Sequence, residues 1–231
     1  MSEQKAGFRG MLKLGLVLAI YSAFACVGLA FVYAGTTKII AQRQADDQAA
    51  ALKELFPEAE SFNAISGISS NDPLVTIGIT TTGSEGQSAE GNIENTGVFA
   101  AMKNGEVIGL ALQTSRASYS GPIIVLVGVA KDGKISGVKI LEHSDTPGLG
   151  ANAASKTYFV DRDRGLRFYD QFTGKSVSDP FEPKLDVIAI TAATITSKAV
   201  AASVKAAGEA ALAWFAVNPN AFSTSSNGGG Q

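Results

Sequence analysis

Two short segments of this 231-residue chain hold the residue types that could carry chemistry: His143-Ser144-Asp145-Thr146-Pro147-Gly148-Leu149-Gly150 and Thr191-Ala192-Ala193-Thr194-Ile195-Thr196-Ser197. In the first, Asp145-Thr146-Pro147-Gly148 is a turn sequence. Gly148 and Gly150, on either side of Leu149, let backbone amides come close to a planar or anionic ligand. Taken alone, the segment reads better as a surface turn. The second segment puts four hydroxyl residues into seven positions just ahead of an Ala-rich helical run. Such hydroxyls cap the free N–H groups of a first helical turn. The same helix end can instead hold a phosphate, through those amides and the positive end of the helix dipole. Ala192 and Ala193 are small enough to admit a ligand there.

Counting removes the competing chemistries. One cysteine, Cys26, and one histidine, His143, are too few for an intramolecular disulfide, a zinc ribbon or a Cys-ligated iron–sulfur cluster, and no metal ligand is assigned. A Ser–His–Asp set would need His143 for every such role, and neither a GxGxxG fingerprint nor a P-loop is present. No catalytic residue is assigned. A formal charge of −2 offers no clustered basic surface, so no nucleic-acid partner is expected. Redox chemistry in such a chain has to come from a bound organic cofactor.

The elements that would position these segments can be read around them. Lys103-Asn104-Gly105-Glu106-Val107-Ile108-Gly109 is echoed 28 positions later by Lys131-Asp132-Gly133-Lys134-Ile135-Ser136-Gly137. Asn-Gly and Asp-Gly take the positive φ of tight hairpin turns, so two hairpins are predicted: Val98 to Met102 with Val107 to Gln113, and Pro122 to Ala130 with Ile135 to Leu141. A strand is predicted at Leu74–Ile79, inside a polar stretch, and another at Leu185–Ile190. A helix is expected from about Lys198 to Phe215, its apolar face formed by Val200, Val204, Ala207, Ala211 and Trp214. The fold class is α+β, an antiparallel sheet with packed helices. The Ser/Asn/Gly-rich residues 218–231 read as a disordered tail.

Leu14 to Thr37 is an uncharged run of 24 residues, enough to cross a hydrocarbon core of about 30 Å as a single transmembrane helix and longer than a signal-peptide core. Residues 1–13 then form a cytoplasmic tail and 38–57 a juxtamembrane helix that Pro57 ends. Lys5, Arg9 and Lys13 precede the run, against Lys38 and Arg43 after it, which places the C-terminal domain, residues 58–217, on the periplasmic or outer side of the inner (plasma) membrane.

The two segments, with Leu55-Phe56-Pro57, Tyr119-Ser120-Gly121-Pro122-Ile123 and the Asp132-Gly133 hairpin, resemble the FMN-binding domain family typified by the G subunit of the Rnf electron-transport complex and related to the C subunit of Na⁺-translocating NADH:quinone reductase. Chain length and the single span look closer to the Rnf protein. The resemblance implies FMN joined by a phosphoester to Thr194, with Thr191, Ala192, Ala193, Thr146, Gly148, Leu149 and Gly150 around it. A flavin transferase would attach the cofactor, and other membrane subunits of an Rnf-type, ion-translocating ferredoxin:NAD oxidoreductase would be partners in electron relay. Two positions depart from the family motif: Ala192 stands where it has glycine, and Ile188 where it usually has an acid, Asp186 being the nearest carboxylate. The other reading is a membrane-anchored FMN-binding sensor or a non-catalytic assembly protein.

Overall fold

The computed structural model describes residues 2–65 and 97–218. The predicted strand at Leu74–Ile79 and, from residue 219 on, the predicted tail lie outside them. The chain divides into two units, residues 1–47 and 48–231.

The first unit is helical, the greater part of α1 (Ser2–Leu55). Its apolar side chains, among them Leu18, Phe24, Leu29 and Phe31, are exposed. From Lys13 on, α1 includes an 18-residue window with mean hydropathy 2.3, none of it buried, which makes the helix long and apolar enough to cross a membrane.

The second unit is built on a meander of five antiparallel strands in chain order: β1 (Ser61–Ala64), β2 (Val98–Lys103), β3 (Glu106–Ala117), β4 (Pro122–Ala130) and β5 (Ile135–Glu142). Both predicted hairpins are present, but their turns differ. Asn104 and Gly105 both take positive φ, 52° and 78°, closing β2 on β3 with two residues. In the second copy, of Asp132 and Gly133, only Gly133 does, at 79°. The Asp132 carboxylate accepts the Lys134 N–H, and Ala130 N–H donates to Lys134 C=O across a wider turn. Asparagine visits the left-handed region more readily than most residues. Here aspartate instead uses its side chain as the acceptor.

Alternation along the strands sends apolar side chains to both faces of the sheet. Val98, Ala100, Leu110, Leu112, Val125 and Val127 face α2 (Thr194–Val217), which buries Val200, Val204, Ala207, Ala211 and Trp214 against them, the five residues of the predicted apolar face. α2 is also apolar enough to pass for a membrane span, yet over half of its apolar window is buried in this core. Phe168, Phe172 and Phe181 extend the same core, the first two edge to face. On the opposite face Ala101, Ala111 and Leu126 meet Ala51, Leu52, Leu55 and Phe56. That face is lowered by glycines: a Cβ on Gly109 would run into the Phe56 ring, and one on Gly137 would lie 2.9 Å from Leu55 Cδ2.

Leu185–Ile190 is not a strand. Residues 182–187 form a turn, with Asp186, Val187 and Leu185 N–H groups all donating to Glu182 C=O. The Asp186 carboxylate accepts the Phe181 and Glu182 N–H groups and the Lys175 ammonium at 3.1 Å. Gln171 then takes Ile188 as a strand neighbour would, accepting its N–H at 2.7 Å and donating to its C=O at 3.1 Å. Side chains thus satisfy the backbone that a sheet ladder would otherwise have served.

Burial pushes the Asp186 carboxyl up, but these N–H groups and Lys175 outweigh it and hold the group below the usual carboxylate range. Because the folded value is depressed, the stabilisation is complete above the unfolded value of about 3.9 and fades as pH falls toward the folded one. Asp186→Asn should therefore flatten the pH dependence of the thermal midpoint below about pH 4 while lowering that midpoint at neutral pH, as measured on the detergent-solubilised chain. An unchanged acid slope would count against this role.

Candidate cofactor site

The candidate site lies where α2 begins. The helix starts at Thr194, four residues before the predicted start, and its N-cap is Ala193, which makes no side-chain cap bond. The hydroxyls of the 191–197 segment therefore do not serve as an oversupplied cap. Thr196 and Ser197 are buried while Thr191 and Thr194 are exposed. The Ser197 hydroxyl donates to Ala193 C=O at 2.9 Å and accepts the Ile190 N–H at 3.0 Å, tying the incoming chain to the first turn from the inside.

The helical period decides which side chains face out. Val200, Val204, Ala207 and Ala211 must lie on the sheet, so the opposite stripe, Thr194, Lys198 and Glu209, faces solvent. Among the described residues none bonds to the Thr194 hydroxyl, and none pairs with Lys198, one turn further on the same stripe. Ala192, just before the helix, sits at φ 59°. There an L side chain is strained and glycine is not.

Both segments singled out by sequence meet here, through one buried carboxylate. Asp145 is 5% exposed. Its Oδ2 accepts the Thr196 hydroxyl and the Ser118 hydroxyl, each at 2.7 Å, and its Oδ1 accepts the Ser120 N–H at 3.0 Å. The Ser118 hydroxyl is also 3.2 Å from Thr196 Oγ1. Burial raises the Asp145 carboxyl, but the Ser118, Thr196 and Ser120 hydrogen bonds, with His143 nearby, bring it below the ordinary carboxylate range. Gly150 is buried against this group: a Cβ there would lie 2.5 Å from Asp145 Oδ2 and 2.6 Å from Thr196 Oγ1. Residues 148–150 and the start of α2 are thereby held side by side.

Of the residues proposed from sequence, Gly150 and Ala193 are buried, while Thr146, Gly148, Leu149, Thr191, Ala192 and Thr194 are exposed. Leu149 at 42% and Ile195 at 54% give the exposed surface an apolar character, and Tyr119 at 72% stands between the two serines bonded to Asp145. The sequence marked the segments that hold Asp145, Thr196 and Ser197 but gave these residues no role, and it gave none to Ser118. The roles of Ser118, Asp145 and Thr196 depend on contacts between positions far apart in the chain, whereas Ser197 bonds locally. An open cleft of about 730 Å³ lies elsewhere, between residues 164–173 and 184–189, and none of the proposed residues lines it. The hydrogen bonds at the start of α2, and not this cleft, bring the two segments together.

The arrangement fits a phosphate-bearing group: an N-terminus with no side-chain cap on a 24-residue helix, an exposed hydroxyl in its first turn with no partner among the described residues, and a turn with a bare glycine at Gly148. Residues 118–209 match the model of the FMN-binding domain, and residues 1–55 that of the RnfG N-terminal region. The chain is 33% identical over 201 residues, 83% of its length and 87% of the relative's, to the G subunit of the Na⁺-translocating ferredoxin:NAD⁺ oxidoreductase complex of Acetobacterium woodii. It is 31% identical over 187 residues, 78% of its length and 80% of the relative's, to the G subunit of the proton-translocating ferredoxin:NAD⁺ oxidoreductase complex of Clostridium ljungdahlii. Among solved structures, the C subunit of Na⁺-translocating NADH-quinone reductase from Parabacteroides distasonis aligns at 18% identity and TM-score 0.40, covering 80% of this chain and 96% of that one.

Ala192→Gly should raise stability by up to about 1 kcal/mol by relieving the left-handed backbone, less the entropy that glycine adds to the unfolded chain. Thermal unfolding of the two proteins side by side checks it, and a lower midpoint for the glycine variant would contradict it.

Proposed function

The chain belongs to the RnfG family, the G subunits of ion-translocating oxidoreductase complexes, and on that premise we propose that it is an electron-relaying flavoprotein carrying FMN as a phosphoester on Thr194. The observation that carries this reading is the Thr194 hydroxyl: exposed, without a partner among the described residues, and set in the first turn of an uncapped helix beside the Thr146–Gly150 turn. When bound, FMN supplies a reversible redox centre that takes electrons from one neighbouring protein of the complex and gives them to another.

The chain's own residues hold and orient the group. Thr194 supplies the ester oxygen, and the first-turn amides and helix dipole face the phosphate. Lys198, one turn on, offers an ammonium to the remaining negative charge, since side chains four apart share a helix face and lean toward the N-terminus. Thr191 and Ala192 border the phosphate, while Gly148, Leu149 and Gly150 lie toward the flavin ring. A flavin transferase makes the ester during maturation. The ester is a tether, which matters for an exported carrier that would otherwise lose its cofactor to the medium. Other membrane subunits of the complex are the partners, and residues 14–37 anchor the chain as a single span in the inner membrane, followed by the juxtamembrane helix to 57 and the FMN-binding domain from 58 to 217.

In protein made with a competent flavin transferase, Thr194→Ala should abolish the flavin fluorescence that survives a denaturing gel. It should change stability by no more than about 0.5 kcal/mol, as expected of an exposed, unbonded side chain. Thr191→Ala should keep that fluorescence. Flavin on Thr191 or Thr196 by peptide mass spectrometry would overturn the assignment.

The excess of Lys and Arg before the span argues for a domain on the outer side. Single cysteines introduced after residue 58, with Cys26 replaced, should therefore react with a membrane-impermeant maleimide in intact cells or spheroplasts. Labelling confined to inside-out vesicles would reverse the topology.

A further inference from the structure

The strongest unassigned feature is the buried carboxylate of Asp145. Among the described residues no cation forms an ion pair with it. Two hydroxyls and one backbone amide satisfy it instead. A carboxylate taken out of water without an ion pair is costly unless its hydrogen bonds are complete. Its bonds are directional, and they come from two separate stretches of chain: the β3–β4 connection through Ser118 and Ser120, and the first turn of α2 through Thr196. Asp145 itself opens the turn that runs to Gly150.

We propose that Asp145 is the positioning residue of the flavin site, locking the 146–150 turn and the β3–β4 connection onto the first turn of α2, so that both are held in fixed places beside the helix start that carries Thr194. Thr196 is the contact through which this acts. It lies two residues after Thr194, about 200° round the helix. Core packing already sets that rotation, and the Thr196 bond to Asp145 ties the inward side of the first turn to the 146–150 turn. Gly150 completes the lock, because a side chain there would occupy the space of both bonded oxygens. The charge has a second effect. A fixed anion beside the flavin opposes the negative charge gained on reduction, and so keeps the potential lower than a neutral group would. This inference rests on the reading that Thr194 carries FMN.

The test uses the full chain in detergent, expressed with a flavin transferase, as wild type, Asp145→Asn, Thr196→Val and Thr196→Ser. Peptide mass spectrometry of the wild type first establishes whether Thr194 bears FMN; its absence would remove the proposed function but leave the lock to be judged by exchange. Amide hydrogen exchange should quicken at least tenfold together in residues 118–121, 145–151 and 194–198 of Asp145→Asn and Thr196→Val, with β3 and β4 unchanged and Thr196→Ser close to wild type. In Asp145→Asn the flavin midpoint potential should also move to a more positive value, whereas Thr196→Val, which keeps the charge, should move it less. Quickening confined to one of the three segments, or wild-type exchange in both disruptive variants, would overturn the lock. An unmoved or more negative potential in Asp145→Asn would overturn the electrostatic part. Should Asp145→Asn fail to fold, Thr196→Val still decides the first question and Thr196→Ser its specificity.

Discussion

A five-stranded sheet with apolar side chains on both faces cannot stand in water, and the need to cover both faces organises this domain. One face takes α2 and the aromatic cluster of Phe168, Phe172 and Phe181; the other takes the end of α1 with Phe56. Covering the first face fixes the rotation of α2 about its axis. That rotation in turn decides that Thr196 and Ser197 point inward while Thr194 and Lys198 point outward. The exposure of the Thr194 hydroxyl is thus a by-product of core packing: the same stripe of Val200, Val204 and Ala207 that stabilises the domain turns it outward.

The inward pair of hydroxyls then does different work from the outward pair. Ser197 joins Ile190 to Ala193, and Thr196 reaches Asp145. A buried carboxylate satisfied by hydroxyls and an amide contributes less attraction than an ion pair would, but it demands geometry, since each bond weakens steeply when misaligned. Energetic modesty and positional strictness go together here. The left-handed Ala192 is the opposite case, a backbone held in a costly conformation by its surroundings at the entrance to the helix.

Much of the fold was legible in the sequence because its signals are local. Asn104-Gly105 and Asp132-Gly133 announce hairpins, alternation announces the strands, and the 3.6-residue period announces the buried face of α2. The Leu185–Ile190 stretch misled because its apolar residues look like a strand, while Glu182 C=O and the Asp186 carboxylate turn the chain locally and Gln171, well back in the chain, takes the backbone of Ile188. The start of α2 was read late for a related reason: β-branched and hydroxyl residues favour caps over helix interiors, but Asp145 and Ile190 claim those hydroxyls from elsewhere. The two chemically interesting segments stood out by composition. The bond that joins them did not, because nothing in the sequence marks the pairing of Asp145 with Thr196, 51 positions further on.

The meander carries a consequence for the order of events during synthesis. Among the described residues every strand of the sheet pairs with its neighbour in sequence, so β2 to β5 can close one after another as short loops as the chain emerges. Asp145 and Ser118 must then wait for Thr196, 51 and 78 residues from them respectively. The helix that covers the sheet, and with it Thr196, arrives last among these elements. Completion of the core and of the bond between the two segments thus coincide in time, and a chain stalled before residue 190 would hold a sheet with one face bare and Asp145 short of a donor.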